Sequence, residues 1–169
     1  MMRILGVDPG TRIVGYGVVD VESTRIQYIE CGVIKTLATA AMPDRLFVIT
    51  ETLSEVIREF APQVLVVESA FHGVNASSAL KLGLARGAIM VIACQHRLEV
   101  SEYTPAYVKK TVVGHGRATK TEVQARVRML CRLRKLPTFD AADALALAIC
   151  HGRFGKHPIL DLKRRAGVK

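Results

Sequence analysis

The sequence predicts an α/β fold: a five-stranded mixed sheet, antiparallel in its first three strands and then parallel, flanked by helices. Three β-type segments come first and are joined by short links, which is typical of an antiparallel meander. Two later strand segments are each reached through a helix-length segment, which favours parallel pairing with the first strand. The chain has 169 residues, half of them hydrophobic, so one domain with a substantial core is expected.

The predicted strands are short segments, several of them apolar runs, bounded by turn residues. The first ends in the sequence Asp8-Pro9-Gly10-Thr11, a turn in which Pro fixes φ and Gly tolerates conformations closed to other residues. The continuous apolar run before Glu68 predicts a strand that is covered on both faces. In chain order, the predicted strands are Arg3–Asp8, Val14–Val21, Ile26–Ile34, Val64–Glu68 and Leu98–Tyr103.

Helices are predicted where apolar residues recur at helical spacing. Thr119 and Glu122 fit a capping box with Thr119 as N-cap. The second helix is apolar nearly all round, so we expect one face in the core and another, carrying Gly83 and Gly87, at a subunit interface. The predicted helices are one opened by Pro43 and ended by Pro62, then Ala76–His96, a short helix from Pro105, one from Thr119 to about Leu133, and one over about Phe139–Gly152.

Residues 1–152 are predicted to form a single domain, and residues 153–169 a basic, flexible C-terminal tail. No segment resembles a signal peptide, and the longest apolar stretch, Leu82–Cys94, contains Arg86 and is too short to span a bilayer. We therefore expect a cytoplasmic protein without membrane contact. The four cysteines form no CxxC pair, so buried free thiols are expected and a zinc site is not.

Positive charge is concentrated in the last third of the chain. The formal net charge is +9; residues 1–102 carry 9 Lys or Arg against 11 Asp or Glu, and residues 103–169 carry 15 against 4. A basic surface beside an acidic pocket fits nucleic acid, because phosphates attract both lysines and metal ions. Charge alone would also fit an acidic protein partner or an ordinary solvated basic face.

Four carboxylates stand where apolar chain is expected: Asp8, Glu68, Asp140 and Asp143. Asp8 and Glu68 end strands predicted to be parallel, so their side chains belong at the same edge of the sheet. Asp140 and Asp143 are spaced i, i+3 and share one face of a helix. If that helix docks on the sheet, the four acids converge, and two hard cations such as Mg²⁺ or Mn²⁺ would relieve their repulsion.

Three of these acids also have an ordinary structural explanation. Asp8 could accept hydrogen bonds from turn amides, Asp140 could favour the helix macrodipole, and Asp143 could face solvent. Glu68 is the hardest to explain in this way, because a strand-end Glu after Val-Leu-Val-Val has no ordinary structural task. Taken jointly, the four acids favour a metal site over four separate structural roles.

Five segments of the chain, three of which contain the four acids, resemble the RuvC family of Holliday-junction resolvases, a branch of the ribonuclease H-like superfamily. Asp-Pro-Gly-Thr alone is a weak signal, but five segments in this order and spacing are a strong one, and they extend over nearly the whole chain. The family's Asp, Glu, Asp, Asp set falls on the four acids above. The segments are Ile4–Arg12, Val67–Phe71, Ala79–Gly87, Lys109–Gly116 and Asp140–Ala146.

The resemblance implies a ribonuclease H-like nuclease domain and a specific activity. Members of the family are homodimers that bind four-way DNA junctions and nick two strands of like polarity symmetrically, leaving 5′-phosphate and 3′-hydroxyl ends. They need Mg²⁺ or Mn²⁺, with two ions expected in each active site. They cut at a short, thymine-rich sequence and act with the RuvA–RuvB branch-migration complex in recombination and repair.

Four side chains are candidates for DNA contact. The resemblance implies that Lys109 and Lys120 lie near the scissile phosphate, and an ammonium close to a loop or helix start can neutralise one. Arg117 lies in the loop between them. Phe71, in a predicted loop over Phe71–Asn75, is expected to stack on an unpaired base, the alternative being a core Phe in a tucked loop.

Two further sets of basic side chains are less informative. The arginines around the fourth helix are expected to be mostly a solvated face. Any of the histidines could touch DNA, but none is assigned as a general base. These sets are Arg126, Arg128, Arg132 and Arg134, and His72, His115 and His151.

Three other functions compete with junction resolution. Asp-x-Gly-Thr after a first strand also occurs in the actin and sugar-kinase fold, but that fold normally needs two domains and a second phosphate loop. A junction-binding protein without catalysis would explain the basic charge and leave the acids unexplained. A nuclease for RNA–DNA hybrids fits less well because of the long apolar helix and the basic last third.

Overall fold

The computed structural model describes residues 1–69 and 75–154, in which five strands form one mixed sheet. The sheet is built from β1 (Met2–Asp8), β2 (Ile13–Glu22), β3 (Arg25–Lys35), β4 (Val64–Glu68) and β5 (Glu99–Tyr103). Its spatial order is β3-β2-β1-β4-β5. The first three strands pair antiparallel, and β4 is parallel to both β1 and β5, which confirms the predicted fold class.

The helices cover both faces of this sheet. They are α1 (Met42–Phe60), α2 (Ala76–Gln95), α3 (Pro105–Val113), α4 (Lys120–Leu130) and α5 (Phe139–Phe154). α4 ends three residues before the predicted Leu133, because Arg132 has a φ of 52° and turns the chain out of the helix. α5 extends to Phe154, so the predicted domain boundary at residue 152 falls inside a helix. Residues 155–169 of the predicted tail lie outside the described residues.

Two hydrophobic clusters lie on opposite faces of the sheet. Residues of β1 alternate between them: Ile4 packs in one cluster with α3, α4 and α5, and Leu5 packs in the other with α1 and α2. β4 is buried on both faces, as its continuous apolar run predicts. The alternation matters for function, because it decides which face each strand-end side chain occupies.

α5 approaches the sheet unusually closely, and glycines make this possible. A Cβ on Gly6 would lie 2.0 Å from the carbonyl oxygen of Ala144, and one on Gly15 would lie 2.0 Å from the carbonyl oxygen of Asp140. Both glycines are in strands next to each other, β1 and β2. The absence of these two side chains lets the backbone of α5 rest on the backbone of the sheet.

α2 is far less buried than a central core helix. By length and composition alone it is long and apolar enough to cross a membrane, and it extends beyond the stretch Leu82–Cys94 that was expected to be too short for this. One such helix is weak evidence for a span, because core helices of soluble proteins have the same length and composition. The side chains of Leu80, Leu84 and Val91 are exposed, and among residues 1–69 and 75–154 nothing lies within 4 Å of an added Cβ at Gly83 or Gly87. α2 therefore has an exposed apolar face where a subunit interface is predicted, and the interface itself stays a prediction.

The expectation of buried thiols holds for only part of the set. Cys131 and Cys150 are buried, and Cys31 is half-buried. Cys94 is exposed, so the prediction was wrong there. The apolar neighbours of Cys94 in the sequence belong to α2, whose outer face is itself apolar and open.

Candidate active site

Asp8 and Glu68 end adjacent parallel strands and occupy the same face of the sheet. Val7 pairs with Val67 in the register between β1 and β4, so the next residues along each strand are the two acids. Val7 and Val67 both pack in the cluster under α1 and α2. Strand alternation therefore places both carboxylates on the opposite face, towards α5.

α5 brings Asp140 and Asp143 to the same edge. The helix begins beside Thr138, whose carbonyl oxygen accepts a hydrogen bond from the amide of Ala142 at 2.9 Å. The close approach at Gly15 fixes Asp140 over β2. Asp143, one turn further along, is half-buried and faces the ends of β1 and β4.

Three of the four acids line one cleft, which we call the carboxylate cleft. It encloses about 200 Å³ and is lined by Asp8, Glu68 and Asp143, by the lysines Lys109 and Lys120, and by apolar side chains from α3, α4 and α5. Asp140 is not among its lining residues, although its charge acts on Asp8 and Asp143. The structure thus places three acids in the cleft, and the fourth, Asp140, close enough for its charge to act on two of them.

Burial and mutual repulsion oppose ionisation of the acids. Desolvation, with the charges of Asp143, Glu68 and Asp140, raises the pKa of Asp8 to about 7, against an ordinary value of 3.8. Burial is also the main cause that raises the pKa of Glu68 and of Asp143. Clustered acids with raised pKa values are typical of sites that bind a cation or exchange protons.

The two lysines counteract this repulsion. Lys120 lies 3.6 Å from Asp143, measured from Nζ to Oδ2, and its charge lowers the pKa values of Asp8, Glu68 and Asp143. Lys109 acts in the same direction on Glu68 and Asp143. Because both ammonium groups line the cleft, they also lie where an incoming phosphate would meet the acids.

Lys120 is held at the first position of α4 by the predicted capping box. The hydroxyl of Thr119 accepts a hydrogen bond from the amide of Glu122 at 3.2 Å, and the Glu122 carboxylate accepts one from the Thr119 amide at 2.7 Å. These bonds lower the pKa of Glu122. The box fixes the start of the helix and so directs the lysine at the cleft.

The donor chemistry of the cleft fits a hard divalent cation. Its ionisable ligands are carboxylate oxygens, which Mg²⁺ and Mn²⁺ prefer, and a cation would relieve the repulsion that raises their pKa values. Among the described residues, no three Asp, Glu, His or Cys side chains are close enough to enclose a metal ion as they stand. The acids therefore border a cleft and do not form a closed ligand cage.

The remaining predicted DNA contacts have mixed outcomes. Arg117 is exposed and does not line the cleft. Phe71 and His72 lie outside the described residues, so their predicted roles stay predictions. His151 was suggested as a possible DNA contact, and this was wrong: it is 3% exposed, and its Nδ1 lies 3.0 Å from the Tyr103 hydroxyl. Burial lowers the pKa of His151.

Sequence reasoning missed a contact behind the cleft. Arg86, on α2, donates a hydrogen bond from Nε to the backbone carbonyl oxygen of Glu68 at 3.1 Å, and its Nη2 pairs with the carboxylate of Glu102. The sequence held one signal that could have found it. Arg86 is a charge in a largely apolar helix, so it needed a partner, whereas Glu102 lies in the polar segment Glu99–Tyr103 and gave no such signal.

The chain is similar to known proteins over most of its length. The family model described as crossover junction endodeoxyribonuclease RuvC matches residues 4–151. A relative of that name from Syntrophotalea carbinolica is 49% identical over 89% of this chain and 93% of its own. One from Bordetella pertussis is 45% identical over 99% of this chain and 91% of its own.

A solved structure is similar over almost the whole chain. The Thermus thermophilus RuvC in complex with a Holliday junction substrate has a TM-score of 0.86 and 34% identity, covering 94% of this chain and 99% of that one. A yeast mitochondrial Holliday junction resolvase, at 11% identity and a TM-score of 0.63, shares the fold alone. The matched family model covers the strands and helices that carry the carboxylate cleft, and the chain belongs to the RuvC family of crossover junction endodeoxyribonucleases, which are metal-dependent nucleases.

Proposed function

We propose that this chain resolves four-way DNA junctions by symmetric paired nicks in strands of like polarity, giving 5′-phosphate and 3′-hydroxyl ends. The observation that supports this most directly is the carboxylate cleft, where Asp8, Glu68 and Asp143 lie beside Lys109 and Lys120. Acids alone would repel a phosphodiester. Acids that hold cations, with lysines beside them, form a site that attracts one and can act on it.

We propose Asp8, Glu68, Asp140 and Asp143 as the catalytic, metal-holding side chains, with two Mg²⁺ ions per site and Mn²⁺ as a substitute. When bound, such ions supply Lewis acidity and activate water for phosphodiester hydrolysis. The carboxylates fix where the ions sit. Lys109 and Lys120 bind the scissile phosphate, and their positive charges reduce the repulsion between that phosphate and the acids.

In this proposal, the basic last third of the chain binds the junction arms. Residues 103–169 supply an excess of 11 positive charges, from 15 Lys or Arg against 4 Asp or Glu. Such contacts are made to phosphate, so their strength depends strongly on salt concentration. Because phosphate contacts carry no base sequence information, they recognise the shape of the junction more than its sequence. Arg117, exposed beside the cleft-bearing helices, and Phe71 are further DNA contacts in this proposal.

Paired nicks require two active sites, and we propose a two-fold homodimer to supply them. The exposed apolar side chains of α2 support this arrangement, because they form a face that a second copy of the chain would cover. We also propose that the dimer acts in the cytoplasm with the RuvA–RuvB branch-migration complex, in recombination and repair. This last step rests on the family alone.

The experiment that tests the function compares wild type with Asp8→Asn on a mobile four-way junction in Mg²⁺. Wild type should cut strands of like polarity in pairs at symmetric positions. The variant should bind the junction with nearly unchanged affinity and cut it at least about 100-fold more slowly, since a preorganised charge at the reacting centre is lost. Cleavage by Asp8→Asn at the wild-type rate, or unpaired random nicking by wild type, would contradict the proposal.

A further inference from the structure

Arg86 and Glu102 form a partly buried ion pair directly behind the carboxylate cleft. The side chain of Glu102 is 7% exposed and that of Arg86 is 29% exposed. Arg86 belongs to α2, Glu102 to β5, and the backbone carbonyl of Glu68, at the end of β4, is the third member of the contact. One guanidinium thus joins a helix and two strands at the catalytic edge of the sheet.

The contact reaches Glu68 from the face opposite its carboxylate. Val100 packs in the cluster under α1 and α2, so Glu102, two residues along β5, occupies that same face. The side chain of Glu68 projects to the other face, into the cleft. Arg86 therefore holds the main chain of Glu68 from behind and leaves the carboxylate free for a ligand in front.

The backbone around Glu68 is restrained on two sides. Glu68 pairs with Tyr103 in the register between β4 and β5, and the amide of Ser69 donates to the carbonyl oxygen of Tyr103 at 2.9 Å. The carbonyl of Glu68 accepts from Nε of Arg86. Because β4 ends at Glu68, the carbonyl of Glu68 accepts its hydrogen bond from Arg86 and not from a neighbouring strand.

An arginine suits this task, and a lysine does not. The planar guanidinium donates from Nε to the carbonyl while its Nη2 meets the carboxylate, two bonds in a fixed fork. An ammonium is a compact donor that can keep the ion pair with Glu102 or the bond to the carbonyl, with no fixed angle between the two. Arg86→Lys therefore preserves charge and removes the geometric restraint on Glu68.

The chain contains a second pair of the same kind that serves as an internal control. Arg3 bonds Asp20 through Nε and Nη2, each at 2.8 Å, and donates from Nη1 to the carbonyl of Phe60 at 2.9 Å. Its side-chain exposures, 29% for Arg3 and 5% for Asp20, match those of the Arg86 pair closely. Arg3 stands near the start of β1, at the opposite end of the strand from Asp8.

We propose that Arg86 is a positioning residue for cleavage: with Glu102 it fixes the main chain of Glu68 so that the carboxylate is preset for its divalent cation. This rests on the proposed function to the extent that Glu68 is taken as a metal ligand. It also ties the cleft to α2, since Arg86 lies on the helix whose open face is the proposed dimer surface. Residues that orient metal ligands typically change cation affinity about 10- to 100-fold when they are replaced.

The test measures cation binding separately from cleavage. In wild type, Arg86→Lys and Arg3→Lys, the thermal midpoint is followed as Mg²⁺ or Mn²⁺ is titrated without DNA, and junction cleavage is followed over the same titration. We expect Arg86→Lys to need roughly 10-fold more cation in both assays. Cleavage should recover towards the wild-type rate at high Mg²⁺, and junction affinity without divalent cation should stay within about twofold. Arg3→Lys should lower the thermal midpoint without moving the cation requirement.

A second variant separates the positioning role from a general loss of stability. Glu102→Gln keeps an acceptor for Arg86 and removes the charge, so it should raise the cation requirement less than Arg86→Lys does. A wild-type cation requirement in Arg86→Lys, or an equal shift in Arg3→Lys, would overturn the positioning role. The DNA-free titration also separates this outcome from failure of the proposed function, in which wild type would bind the cation and not resolve junctions.

Discussion

At the scale of single residues, Asp8 is a side chain whose ionisation the fold opposes. Burial and three neighbouring acids raise its pKa to about 7, from 3.8. A raised pKa means that the folded state binds the proton more tightly than the unfolded chain does. The stability of the cation-free protein should therefore fall as pH rises from about 4 to about 7, and then level off.

Replacing Asp8 by Asn should remove this loss of stability. In EDTA, we expect Asp8→Asn to be ~2–4 kcal/mol more stable than wild type at pH 8, because each pKa unit corresponds to ~1.4 kcal/mol. At pH 4 the two proteins should have nearly equal free energies of unfolding. Denaturant unfolding at pH 4, 6 and 8 measures the difference directly. Adding Mg²⁺ at pH 8 should stabilise wild type more than the variant, and a difference that is independent of pH would contradict the account.

The same residues show what sequence could and could not provide. Asp8 and Glu68 were placed at the site because each ends an apolar strand, a signal that is local in the chain. The Arg86 and Glu102 pair joins residues 16 apart on different elements, and only the packing of α2 on β5 brings them together. His151 was misplaced for a related reason: sequence shows that it lies late in a helix, but not that Tyr103 covers it.

At the scale of elements, the site depends on how closely α5 rests on the sheet. Gly6 and Gly15 leave room for the carbonyl oxygens of Ala144 and Asp140. Element order and strand direction were predictable, because apolar period and turn residues set them. The close approach of α5 to the sheet could not be predicted, because nothing in the sequence distinguishes the glycines of β1 and β2 from ordinary strand residues.

Gly6→Ala should therefore damage both the fold and the site. An added Cβ would lie 2.0 Å from a backbone oxygen of α5, and a backbone atom cannot rotate aside. We expect a loss of about 3 kcal/mol or more in the free energy of unfolding, and loss of cleavage as α5 and its two acids shift. Gly32→Ala is the matched control, since its Cβ would meet the far end of the Tyr16 side chain, which can move. Denaturant unfolding of the two variants compares them, and equal losses would contradict this explanation.

At the scale of the whole molecule, the part of the chain that the structure describes leaves an apolar surface of α2 exposed, on the face away from the cleft. Leu80 is 69% exposed, Val91 57% and Leu84 45%, and Phe47 of the neighbouring α1 is 65% exposed. Contiguous apolar side chains of this kind mark interaction surfaces in soluble domains. Gly83 and Gly87 add a strip where another backbone has room to approach. The composition of α2 predicted an interface on this face. That the partner is a second copy of the chain is inferred from the mechanism, because two nicks require two active sites.

Leu84→Glu tests whether that second copy binds there. The side chain of Leu84 is about half exposed in the monomer, so the variant should fold as wild type does. Its thermal midpoint should stay within a few degrees of the wild-type value. A buried, unpaired carboxylate on each side of a two-fold interface should convert the dimer to a monomer in sedimentation velocity. On a cruciform plasmid, wild type should linearise the circle by paired nicks, whereas the variant should release nicked circles. Leu136→Glu, an equally exposed leucine after α4, should sediment as wild type does; a Leu84→Glu dimer that still linearises the plasmid would place the subunit interface elsewhere.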